Sequence, residues 1–90
     1  MIIFYDKNTG NIVGTIEGRV HPKDHLNMWV GSRDTTERIV CQWKPENPED
    51  ENSSFYPDHE QKDIFKELDQ SPRKVYKYKV NLETKKLESK

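Results

Sequence analysis

Residues 12–20, Ile-Val-Gly-Thr-Ile-Glu-Gly-Arg-Val, alternate apolar and polar side chains with period two. No other feature of the chain constrains its fold as much. A strand sends successive side chains to opposite faces, whereas a helix repeats about every 3.6 residues. The pattern puts Ile12, Gly14, Ile16, Gly18 and Val20 on one face and Val13, Thr15, Glu17 and Arg19 on the other. Two glycines on the apolar face signal a bulge, or close approach of another backbone or a ring. Residues 2–5 precede this strand as a short apolar run. Between them, Asp6-Lys7-Asn8-Thr9-Gly10-Asn11 carries turn chemistry. Asp and Asn bond the local backbone, and Gly10 accepts a positive φ. The N-terminal third therefore reads as a β-hairpin.

Residues 21–25, His-Pro-Lys-Asp-His, break the pattern and leave room for one helical turn opened by Pro22. Alternation resumes over 26–30, with Trp29 opposite Leu26, Met28 and Val30 and so expected to be exposed. Residues 31–36 read as a turn. Residues 38–44 read as a strand with Ile39, Cys41 and Trp43 on one face. Residues 44–54 form an acidic, Pro-rich loop around Glu49-Asp50-Glu51. Residues 58–70 predict the one helix. Asp58 is its N-cap, Gln61 completes a capping box, and Ile64, Phe65 and Leu68 form its apolar stripe. Ser71-Pro72 stops it. Residues 73–82 predict a strand with Tyr76, Tyr78 and Val80 facing the core, and Leu87 opens a short final strand. Residues 80–87 echo residues 5–12: both run apolar, Asp or Asn, two residues, Thr, two residues, aliphatic. The same hairpin chemistry is used twice.

These elements specify an α+β fold in a single domain over residues 1–90. A twisted antiparallel β-sheet of about five strands carries one α-helix packed on a face. Hydrophobic residues make up 31% of the chain and charged residues 34%, so the core must be thin. Stability is expected near the low end of the usual range, about 5 kcal/mol. Nine aromatic residues and a net charge of only −1 argue against disorder. One cysteine cannot form an intrachain disulfide, which fits a reducing cytoplasm. No signal peptide and no apolar run of about 20 residues is present, so a cytoplasmic protein without a membrane partner is expected.

Few groups carry recognisable chemistry. His21 and His25 have the i, i+4 spacing of helical zinc ligands. However, Pro22 stands where a zincin has Glu and no cysteine pair is near; Asp24, Asp58 and His59 are candidates for a third ligand. Cys41 shares a face with Ile39 and Trp43, where a free thiol behaves as a small hydrophobe. Residues 73–80 interleave bases and aromatics as single-strand binders do. A strand would send the rings and Lys77 and Lys79 to opposite faces, and the net charge is near zero, so direct nucleic-acid binding is not expected. Charge is uneven, with nine acids against three lysines over residues 44–70 and seven bases against two acids over residues 71–90. Such a split lets the chain present two surfaces to partners.

The run Phe4-Tyr5-Asp6-Lys7-Asn8-Thr9-Gly10-Asn11-Ile12-Val13-Gly14-Thr15-Ile16 resembles hairpins of small β-rich structural and accessory proteins of tailed bacteriophages. The ending Tyr78-Lys79-Val80-Asn81-Leu82-Glu83-Thr84 is similar. The resemblance implies a structural or accessory role, in a virion or host cytoplasm, and assigns no functional residues.

The expected function is non-enzymatic, through contacts with other protein subunits, including copies of itself in a homo-oligomer. No catalytic residue, cofactor or metal is assigned. Trp29 and Trp43 are the aromatic interface candidates and Glu49, Asp50 and Glu51 the charged ones. Two alternatives stand beside it. The acidic segment can imitate nucleic acid and inhibit an enzyme by occupying its basic cleft. His21 and His25 can serve a metal-dependent enzyme.

Overall fold

The computed structural model describes residues 1–18 and 27–90. Among these, the strands are β1 (Ile2–Asp6), β2 (Ile12–Ile16), β3 (Thr36–Val40), β4 (Gln42–Pro45), β5 (Phe55–Asp58), β6 (Tyr78–Asn81) and β7 (Lys86–Ser89). Helix α1 (Lys62–Gln70) and a 3-10 helix (Pro72–Lys77) lie between β5 and β6. The fold is α+β, and every strand pair is antiparallel. Instead of one sheet of about five strands, the described strands form three small sheets, β2-β1-β3, β4-β5 and β6-β7.

β1 is central, and Ile2, Ile3, Phe4 and Tyr5 are all buried. A strand covered on both faces needs no alternation, which is why this run is continuously apolar. Ile3 and Tyr5 enter the main core with Ile39, Phe65, Leu68, Val75, Val80 and Leu87. On the opposite face Phe4 meets Trp29 edge-on, with ring centroids 5.3 Å apart.

Among the described residues the strand predicted over 12–20 runs only from Ile12 to Ile16, and within it the simple alternation breaks. Phe4 pairs with Gly14 but Tyr5 pairs with Ile12, so Val13 is the extra residue of a bulge. Ile12 therefore packs with Tyr5 on the main core, while Gly14 and Ile16 lie opposite Phe4 and Ile2. The expected single apolar face is corrected accordingly. Gly14 is required by close approach, because a Cβ there would lie 2.4 Å from Val30 Cγ1. The expected break at residues 21–25, with His21 and His25, lies outside the described residues.

The strand predicted over 38–44 is interrupted at Cys41. Its N–H donates to Met1 O (3.0 Å) and its carbonyl accepts from the N-terminal ammonium (3.1 Å). Beyond that contact the chain leaves β1, and β4 pairs with β5 instead. Asp58, the expected start of the helix, thus ends strand β5. Asp58 is no N-cap; it forms an ion pair with Lys44 at 2.7 Å. The helix begins at Lys62 and buries Phe65 and Leu68, as its stripe predicts.

Residues 72–77 are a 3-10 helix and not a strand, with Pro72 at the start, where its fixed φ fits. Side chains three apart share a side in this helix. Val75 is consequently buried and Tyr78 packs against the core, while Tyr76 is 52% exposed. The expectation of a core-facing Tyr76 is corrected.

The echoed turns are the same structure. Asp6 Oδ1 accepts from the N–H groups of Asn8 (2.7 Å) and Thr9 (3.1 Å); Asn81 Oδ1 accepts from those of Glu83 (2.9 Å) and Thr84 (3.2 Å). Thr9 and Thr84 hydroxyls each accept from the N–H two residues on. Gly10 N–H then donates to Asp6 O and Lys85 N–H to Asn81 O, at φ of 80° and 60°.

Candidate functional site

The β6–β7 hairpin is fixed on both edges. Val80 and Leu87 oppose each other, and both turn their backbone groups outward. Val80 N–H donates to Gly10 O at 2.8 Å. On the other edge the Gln61 carboxamide donates from Nε2 to Leu87 O (2.7 Å) and accepts at Oε1 from Leu87 N–H (2.8 Å). Gln61 stands at the N-cap of α1, yet its side chain caps nothing there because it is committed to Leu87.

His59 supports this junction. Its Nδ1 accepts from Gln61 N–H at 3.0 Å, and its ring meets Phe65 edge-on at 4.8 Å. Burial holds the His59 pKa below its ordinary value, against the opposing pull of Glu60 and Asp58 and with minor help from Lys86. An accepting Nδ1 places the proton of the neutral ring on Nε2.

Between β5, the start of α1 and the β6–β7 turn lies an open groove of about 700 Å³. Tyr56, Lys62, Thr84, Lys85 and Lys86 are among the residues that line it. The two acids lining it are already matched: Asp58 to Lys44 at 2.7 Å, and Glu60 to Lys86 at 2.8 Å. The Lys86 ammonium holds the Glu60 carboxyl below its usual value, and the Asp58 hydrogen bond raises Lys44. Lys62 and Lys85 form no ion pair with any described residue, so the groove carries surplus positive charge.

At the opposite end of the β4–β5 hairpin, residues 46–54 form an ordered tip. Glu46 N–H donates to Ser54 O (2.8 Å), Asn47 N–H to Ser53 Oγ (2.8 Å), Glu49 N–H to Asn47 Oδ1 (3.2 Å) and Asn52 N–H to Asp50 Oδ1 (2.9 Å). Glu46, Glu49, Asp50 and Glu51 are exposed and form no ion pair with described residues. Phe55, at the base of the tip, is 47% exposed. The chain matches no protein-family model, no curated protein and no solved structure. Its site is read from these residues.

The residues expected to form an interface are dispersed. Trp29 is half-buried, and the expectation that it is exposed is corrected. Its Nε1–H donates to Thr36 Oγ1 at 2.6 Å, and the guanidinium carbons of Arg33 and Arg38 each lie 5.1 Å from its ring centroid. Trp43 is half-buried in β4, opposite Pro57. Only Glu49, Asp50 and Glu51 lie together, on the tip.

Cys41 is buried, and burial pushes its thiol up to about 11, far from the range of a nucleophile. Among the described residues no three His, Cys, Asp or Glu side chains gather as metal ligands. Asp58 and His59, two of the proposed third ligands, are engaged with Lys44 and Gln61. No helix among the described residues is long and apolar enough to cross a membrane.

Sequence reasoning missed Phe55 and the groove lysines. For Phe55 a signal existed: Trp43-Lys44-Pro45 and Phe55-Tyr56-Pro57 place aromatics on both sides of a turn-rich segment, as a hairpin does.

Proposed function

We propose that this chain is a small non-enzymatic structural or accessory protein that acts by holding another protein subunit through its β4–β5 hairpin. The observation that carries this reading is the tip, where four exposed carboxylates on an internally bonded turn flank the exposed Phe55 ring. An aromatic anchor supplies contact energy, and the surrounding charges steer approach and fix orientation. A turn already held by its own hydrogen bonds loses little freedom on binding. The finer setting, a virion component or accessory protein of a tailed bacteriophage, rests on the resemblance of the hairpins. The test compares immobilised wild-type chain with Phe55→Ser and with the triple variant Glu49→Ala, Asp50→Ala, Glu51→Ala. A protein retained in stoichiometric amount by the wild type and lost with both variants supports the reading. Equal retention by all three, or retention of nothing together with no self-association, overturns it.

The tip carboxylates, which form no ion pair with the described residues, also support a second reading, an acidic inhibitor that takes the place of nucleic acid in a basic cleft. The same variants separate the two. An inhibitor of that kind keeps its affinity in Phe55→Ser and loses it in the triple alanine variant.

A further inference from the structure

We infer that the partner includes a second copy of this chain: the acidic tip of one copy seats in the lysine-lined groove of the next, and the chain assembles head to tail. The inference rests on the protein-binding reading above and adds the occupant of the groove. Three observations carry it. The first is complementarity. Glu46, Glu49, Asp50 and Glu51 have no cationic partner among the described residues, and Lys62 and Lys85 on the groove wall have no acidic one. The two acids of the groove already have their own lysines, so they leave its surplus charge positive.

The second is separation. The tip follows the Pro45–Phe55 pair, whereas the groove begins beyond it at Tyr56 and runs through Asp58 to the start of α1. Strand β5, whose four residues span about 10 Å, runs from the tip at Phe55 to Asp58, before the helix that carries Lys62. The bonds across Glu46–Ser54 and Asn47–Ser53 keep the tip from folding back. Within one molecule no ion pair joins the two charge surpluses among the described residues, so both remain open to a second copy. The third is the exposed Phe55 beside the acids, which supplies an apolar anchor for the half-buried Tyr56 ring that lines a neighbouring groove.

Each copy offers one tip and one groove, and these are different surfaces. Such a contact is heterologous, so it does not close as a two-fold pair; it propagates into a ring or an open chain. The contact rests mainly on exposed charges, so association is weak, concentration-dependent and screened by salt.

The experiment measures mass by light scattering on the full chain, from about 10 µM to about 1 mM, a range that brackets weak association. The tip variant carries Glu49→Gln, Asp50→Asn, Glu51→Gln and Phe55→Ser. The groove variant carries Lys62→Glu and Lys85→Asp. All six positions are exposed, and an unchanged melting temperature verifies the fold of each variant. The wild type is expected to grow beyond a dimer as concentration rises, with at least about tenfold weaker association in high salt. Each variant alone is expected to remain monomeric. Mixed in equal amounts, they are expected to form a one-to-one pair that grows no further, because only one intact tip and one intact groove remain. A monomeric wild type at every concentration, an assembly indifferent to either variant, or a mixture that stays monomeric overturns the inference. A monomeric wild type whose Phe55-dependent capture of another protein persists overturns self-assembly alone and leaves the wider reading standing.

Discussion

The side chain of Gln61 pairs with the peptide of Leu87 as a neighbouring strand would, Nε2 to O at 2.7 Å and N–H to Oε1 at 2.8 Å. One carboxamide thus joins the start of the helix to the edge of a hairpin 26 positions away. An open strand edge invites pairing with other chains. Here its middle is occupied from within.

Removing that carboxamide leaves two partly buried backbone groups of Leu87 unpaired. Gln61→Ala is expected to cost about 2 kcal/mol, for two lost hydrogen bonds and their desolvation. In a domain of this size that lowers the melting temperature by on the order of 10 °C. Gln61→Glu keeps the acceptor but places a carboxylate oxygen against Leu87 O. It is expected to be less stable than Gln61→Ala at neutral pH and to recover in acid, where a protonated carboxyl donates again. Thermal melts of both variants at two pH values check this.

His59 makes stability depend on pH. Its folded pKa lies below the ordinary 6.5, with burial the main cause, so the folded chain favours the neutral ring. The unfolded chain binds the proton more readily, and stability therefore falls as pH drops below about 6.5 through the folded pKa. A protonated Nδ1 also cannot accept from Gln61 N–H. His59→Asn keeps an acceptor two residues before that N–H, as in an Asx-turn, and does not titrate. Denaturant midpoints at pH 7.5 and 5 are expected to differ more in the wild type than in the variant, in which only the partly buried N-terminal amine keeps a dependence of the same sign.

The two equivalent turns carry different residues at the positive-φ position, Gly10 and Lys85. A non-glycine residue at φ of 60° is strained by about 1 kcal/mol. Lys85→Gly is expected to raise the melting temperature by a few degrees. Gly10→Ala is expected to destabilise by more than Lys85→Gly stabilises, because a Cβ would lie 2.0 Å from Val80 O. Calorimetry of the two variants settles the pair.

Cys41 is expected to resist modification. Its pKa, raised to about 11 chiefly by burial, leaves little thiolate at pH 8, and the side chain is 1% exposed. A thiol reagent is expected to label the native chain only at the rate of opening, and to label it stoichiometrically in denaturant. The same shift means that stability falls as pH rises above 9, since the unfolded chain loses the proton first.

The sequence showed the features that depend on neighbours along the chain. The α+β class, the Phe65 and Leu68 stripe, the strand at Leu87 and the duplicated turn were all legible, because each follows from local periodicity or local side-chain bonding. The features set by distant contacts were not. Ile12 and Gly14 both read as apolar, so nothing local reveals that Val13 is a bulge between them. Cys41 continues a good strand pattern, and only its pairing with Met1 divides it. Asp58 and Gln61 have capping-box spacing, but pairing of β5 with β4 and of Gln61 with Leu87 overrides it. Val75 to Val80 alternates in sequence, while Pro72 opens a helix with period three. The groove was invisible because its walls come from separate segments.

The bond from Val80 N–H to Gly10 O joins positions about 70 apart. A chain emerging from a ribosome at about 5–20 residues per second leaves the first turn without its partner for several seconds. The N-terminal hairpin therefore waits, with its core face open, until β6 arrives. The thin core closes late and as a unit, so early in synthesis the chain depends on whatever shields that face.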